Sequence, residues 1–105
     1  MPRRNEGLSL AAEIRQTEDR LRIYEALTQA LSEPHAVLDV LLHADDPAAA
    51  MGALGKRFDF DEVQATAVTE LQFRRVTLAE QGKIRDGRDE LSEQLSYLRR
   101  LDESH

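Results

Sequence analysis

The breaks in this chain constrain its fold more than the stretches between them. Pro34 and Pro47 each stop a helix arriving from the N-terminal side, because proline lacks the amide hydrogen and its ring clashes with the preceding turn. Both also suit the first turn of a new helix, Pro34 with Ser32 or Glu33 as cap and Pro47 with Asp46 as cap. Asp61 with Gln64, and Thr77 with Glu80, have capping-box spacing and mark two further starts. Between the breaks Ala, Leu, Glu, Arg and Gln dominate, which favours helix. Residues 57–61 alternate apolar and polar, but the run is too brief and too charged to seed a sheet. The expected fold is all-α, with long helices only at the two ends of the chain.

The first long helix is expected over residues 9–31, a rod of roughly 35 Å at 1.5 Å per residue. Leu10, Ile14, Leu21, Tyr24 and Leu31 recur at steps of three, four or seven, with Leu27 beside them. Thr17 and Thr28 interrupt this stripe. The last helix, over residues 78–102, carries Ile84, Leu91, Leu95 and Leu98 in the same rhythm, with Leu101 alongside. Gly82 and Gly87 soften its early turns, each costing about 1 kcal/mol against Ala. Three short helices are expected between. The first carries Val37, Leu38, Leu41 and Leu42 inward and ends near His43; the second runs from Pro47 and closes at Gly55. The third spans residues 62–76, with Val63, Ala67, Val68, Leu71 and Phe73 as its apolar positions. Two long helices with apolar stripes pair most simply as an antiparallel coiled coil, seamed by Ile14, Leu21, Tyr24, Leu31, Ile84, Leu91, Leu95 and Leu98. Residues 33–77 then form a three-helix knob at its tip, residues 1–8 are expected to be flexible, and the whole is one domain.

Composition closes off several kinds of chemistry. The 105 residues include no cysteine, so disulfides, thiolate nucleophiles and thiolate metal sites are out. No run is long and apolar enough for a membrane span, and Met1 to Glu6 lead into no apolar signal region, so a cytoplasmic protein is expected. Twenty acidic against fourteen basic side chains give a net charge of -6, a poor match for a polyanion. The candidate basic clusters, Arg20 with Arg22 and Arg74 with Arg75, are short, and direct DNA binding is not expected. Arg74 and Arg75 read as a solvated face or as the rim of an interface, where arginine is favoured.

Candidate sites for chemistry have plainer readings. His35, Asp39 and His43 lie one helical turn apart, but a transition-metal site wants three or four converging ligands, so a solvated helix face is the better account. Asp45, Asp46, Asp59 and Asp61 read as caps and turn formers rather than as a cation site. Tyr24 belongs to the apolar stripe and reads as a packed tyrosine rather than as a nucleophile. No metal, cofactor or nucleophile–base pair is expected, and so no independent enzyme.

Several segments, in order, resemble one family. Residues 20–31 (RLRIYEALTQAL) are similar to the stretch of the type IIA topoisomerase A subunit that leads into its distal knob. Residues 58–68 (FDFDEVQATAV) resemble its FGLSEIQAQAI segment, 69–77 (TELQFRRVT) its LDMRLRRLT, and 80–84 (EQGKI) its EREKI. The likeness is ungapped from Glu62 to Leu98 and looser back to Arg20, about three quarters of the chain. In DNA gyrase and topoisomerase IV this region is a pair of long helices bearing a helical knob, and the knob meets its two-fold mate as the exit gate for transported DNA. The resemblance implies a homodimer through the gate, with contacts at Val68, Leu71, Gln72, Arg75, Val76, Thr77 and Leu78. Leu78 and Ala79 stand where the family often has Gly-Leu, Arg88 where it often has tyrosine, and Gly87 has no counterpart there. The family's nucleophilic tyrosine belongs to an upstream winged-helix domain, and Tyr24 and Tyr97 do not match its motif. The implied function is a non-catalytic dimerisation module, with the A subunit of gyrase or topoisomerase as a further partner. The alternatives are a stand-alone helical scaffold with an unrelated partner and one piece of a split type II topoisomerase.

Overall fold

The computed structural model describes residues 9–71 and 77–104, and these are all-helical, with no strand among them. Five helices follow in order: α1 (Leu10–Ser32), α2 (Pro34–Leu42), α3 (Pro47–Phe58), α4 (Glu62–Thr69) and α5 (Leu78–Glu103). The starts follow the local chemistry closely. Ser9 caps α1 by accepting from the Ala12 amide at 3.1 Å, and Asp46 caps α3 by accepting from Ala49 at 2.7 Å. Thr77 caps α5 through the Glu80 amide at 3.3 Å. Pro34 and Pro47 occupy the first turns of α2 and α3, and Glu33 precedes α2 without a side-chain cap.

The ends depart from expectation twice. Gly55 does not close α3, which continues to Phe58 and is terminated by Asp59 in the left-handed region (φ 59°, ψ 43°). Aspartate tolerates that conformation better than most side chains, and Lys56 and Arg57 in the last turn suit the negative end of the helix dipole. Gly55 has a different task. A Cβ there would stand 3.0 Å from the carbonyl oxygen of Phe60, so its bare backbone admits the chain as it doubles back past α3. That reversal lets Phe58 and Phe60 enter the core together, their rings stacked with centroids 5.4 Å apart. The alternation in residues 57–61 therefore reflects a helix end.

α4 stops at Thr69, seven residues before its expected end. Thr66 and Thr69 donate side-chain hydroxyls to the carbonyls of Glu62 and Thr66, both at 2.8 Å, and such local bonds compete with helix propagation. Residues 72–76 lie outside the described part, so the sequence readings at Gln72, Phe73, Arg74, Arg75 and Val76 are not assessed there.

The core joins all five helices. Ala26, Leu27 and Ala30 from α1 meet Val37, Leu54, Phe58, Phe60, Ala65, Val68 and Ile84 in one buried cluster. α1 packs most extensively on α5 and also on α4. Contacts between the two long helices run in opposite chain directions: Glu18 receives a bond from Arg99 at 2.9 Å, Tyr24 lies against Gly87, and Thr28 and Leu31 share a crevice with Gln81 and Ile84. On α5, Ile84, Leu91, Leu95 and Leu98 are buried.

On α1 the burial falls elsewhere than the leucine rhythm indicates. Ile14, Leu21, Tyr24 and Leu31 are only partly buried, whereas Thr17, Ala26, Leu27 and Ala30 are buried. Around α1, Leu27 lies roughly 50° from the line of Tyr24 and Leu31, Ala30 roughly 110° and Ala26 roughly 150°, and α1 packs on α4 as well as on α5. Thr17 does not interrupt the packing: its hydroxyl donates to the Glu13 carbonyl at 2.9 Å, so it enters the core with its polar group satisfied.

Candidate protein-interaction site

The junction that sets α4 against α1 is polar and specific. Asp61 accepts from the Gln64 amide at 2.8 Å, while Gln64 Oε1 accepts from the Asp61 amide at 3.0 Å, completing the capping box. The same two side chains reach α1. Gln64 Nε2 donates to the Arg22 carbonyl at 2.9 Å, and the Arg22 guanidinium pairs with the second oxygen of Asp61. One cap therefore both starts α4 and docks it on α1, and it engages Arg22, half of one candidate basic cluster. Asp61→Ala is expected to cost about 1–2 kcal/mol in chemical denaturation. Asp61→Asn keeps a capping acceptor and should recover most of that, since the Arg22 pair is largely solvent-exposed and exposed ion pairs contribute little.

A second surface is apolar and open. A groove of about 390 Å³ is lined by Leu31, Val37, Leu38, Leu41, Val68 and Leu71, among others. Leu38 is 45% exposed, Leu42 73% and Leu78 83%. The expectation that α2 turns Leu38 and Leu42 inward is therefore corrected. Positions 37, 38, 41 and 42 spread over roughly 140° of the helix, more than a nine-residue helix buries against its neighbours. Val37 takes the inward side, and Leu38 and Leu42 stay out.

The proposed gate residues separate into three groups. Val68 is buried in the chain's own core and forms part of the groove wall. Leu71 lines the groove and packs against the core, while Thr77 and Leu78 are exposed at the start of α5. Gln72, Arg75 and Val76 fall outside the described residues. Val63, expected to face the core, is exposed, and Ala65 takes the inward position on α4.

The polar candidates find local partners. His43 Nδ1 lies 2.8 Å from the Asp39 carbonyl and 3.4 Å from its carboxylate, on an exposed face of α2. Among the described residues no three His, Cys, Asp or Glu side chains converge as metal ligands. Asp46 and Asp61 are caps and Asp59 a turn residue. Tyr24 is partly buried against Gly87, and Tyr97 is exposed on α5. No helix among the described residues is long and apolar enough to cross a membrane.

No protein-family model matches the chain. It is similar to the A subunit of DNA gyrase from Treponema pallidum, with 32% identity over 89 residues that make up 85% of this chain and 11% of that protein. The gyrase A subunit of Synechocystis is 36% identical over 84 residues, 80% of this chain and 10% of the relative. That of Streptomyces coelicolor is 32% identical over 83 residues, 79% of this chain and 10% of the relative. The chain is thus related to a partial region of the DNA gyrase A subunit and spans about a tenth of the length of the curated relatives it matches.

Proposed function

We propose that this chain, related to one region of the DNA gyrase A subunit, is a non-catalytic dimerisation module built like the distal gate of that protein. In this reading α1 and α5 form a coiled-coil arm, α2 to α4 form the knob, and two knobs meet through their apolar tips. The observation that carries it is Leu78, 83% exposed at the start of α5, on an all-helical chain that also leaves Leu38 and Leu42 uncovered at α2. Leu38 also lines the apolar groove, and exposed apolar surface of this kind is what a partner supplies with cover. Leu71, Gln72, Arg75, Val76, Thr77 and Leu78 are the proposed contacts, with Val68 supporting them from within.

Leu78→Arg tests this directly, since so exposed a side chain contributes little to the monomer's own core. Analytical ultracentrifugation of the parent chain at micromolar concentration should show a dimer, and the variant should sediment as a monomer with unchanged helical content. A monomeric parent would overturn the reading.

The further partner in this reading is the gyrase A subunit, engaged in place of one half of its own gate or beside it. Co-sedimentation of the two proteins should give a complex that Leu78→Arg abolishes, and a supercoiling assay should respond to the parent chain alone. A complex that survives Leu78→Arg would mean that the long helices carry this partner, and no complex at all would favour the scaffold reading with an unrelated one. The small share of each relative that is matched also supports a third reading, one piece of a topoisomerase divided over several chains. It requires a companion chain that supplies the tyrosine and the winged helix.

A further inference from the structure

The inward row of α5 reads Ile84, Gly87, Leu91, Leu95, Leu98, so a glycine occupies a place where the rhythm calls for a large apolar side chain. α1 fills that notch. A Cβ on Gly87 would lie 2.5 Å from one Tyr24 ring carbon and 3.1 Å from two others, so the ring rests directly on the backbone of α5. Seven residues back along α1 stands Thr17, small and buried, and eight residues on along α5 stands Leu95, which is also buried. The Arg99–Glu18 bond closes the outer side of the same end.

We propose that the Tyr24–Gly87 notch is a register key, which holds α1 and α5 at one relative position so that the pair moves as a single rod and does not slide. Uniform leucine seams accept a shift of one turn at little cost, because every layer looks alike. Here a slide of one turn, about 5.4 Å, brings the Tyr24 ring against Ile84 or Leu91 and puts the smaller Leu21 or Thr28 over Gly87, so that part of the notch is left empty. Overpacking in one layer and a cavity in the next both disfavour the shifted state. The key is independent of what the tip binds.

The chain has no cysteine, so spin labels can be attached at two introduced ones, Gln16→Cys on α1 and Asp86→Cys on α5, both at exposed positions. These sites are offset along the pair, and a slide changes their separation by several Å. Pulsed electron–electron resonance on this background should give one narrow distance distribution. Tyr24→Ala should broaden it or add a second population. Tyr24→Ala combined with Gly87→Leu, which moves the large residue to the other helix, should restore a single narrow one. A Tyr24→Ala protein that keeps helical content and the original narrow distribution overturns the proposal. So does a double variant that remains broad or fails to fold, because complementarity demands rescue; should Tyr24→Ala alone not fold, the double variant decides.

Discussion

Leu54→Ala is expected to lose about 2–5 kcal/mol of stability, enough to take a domain of this size close to its unfolding midpoint. Leu54 is fully buried on α3, in the cluster that draws on all five helices. Truncation loses the transfer free energy of its methyl groups and leaves a cavity within that cluster. Those neighbours have little freedom to collapse inward. Phe58 is held by its stacking on Phe60, and α4 is tied to α1 through Asp61, Gln64 and Arg22. The expected signature is a large fall in the urea midpoint, followed by circular dichroism, with the slope unchanged. Leu78→Ala, at an exposed position, should stay within about 0.5 kcal/mol in the same assay. Similar losses for the two would mean that the core is not centred on Leu54.

Two glycines five residues apart on α5 should respond to alanine in opposite directions. Gly82→Ala meets nothing within 4 Å and should stabilise by about 0.5–1 kcal/mol, the ordinary propensity difference inside a helix. Gly87→Ala brings the same propensity gain, but its new methyl would overlap the Tyr24 ring at 2.5 Å. Overpacking of that kind costs about 1–3 kcal/mol, which outweighs the gain, so a net loss is expected. Thermal unfolding of the two single variants decides the matter, and a stabilised Gly87→Ala would mean that the ring swings aside freely. Gly87→Ala in a Tyr24→Ala background should recover the propensity gain, because the obstruction is gone.

Much of the helical architecture is local and was legible residue by residue. Proline at 34 and 47, and caps at Asp46, Asp61 and Thr77, act through hydrogen bonds and sterics within four residues, so their reading needs no neighbour in space. The errors have one physical origin. Gly55 looked like a helix stop because glycine commonly is one, but its role is to admit Phe60 from five residues on. Thr17 looked like an interruption because its hydroxyl is polar, and only the i−4 bond to Glu13 makes it fit for burial. Val63 was counted inward where Ala65 is, since an eight-residue helix with several apolar positions does not declare which side its neighbour covers.

The candidate site shows the same division. The resemblance points to the region of Leu71 and Leu78, whereas Leu38 and Leu42 join the exposed surface only once α2 has a fixed rotation. Residue order was enough to establish that the chain is helical, where most helices begin, and that its long helices stand at the two ends. Those properties follow from backbone bonds and caps within one turn. Packing in three dimensions was needed to establish which side of each helix is covered, why Gly87 must lack a side chain, and which leucines remain for a partner. Each of those depends on what stands opposite, and here Tyr24 and Gly87 are brought together across 63 residues of chain.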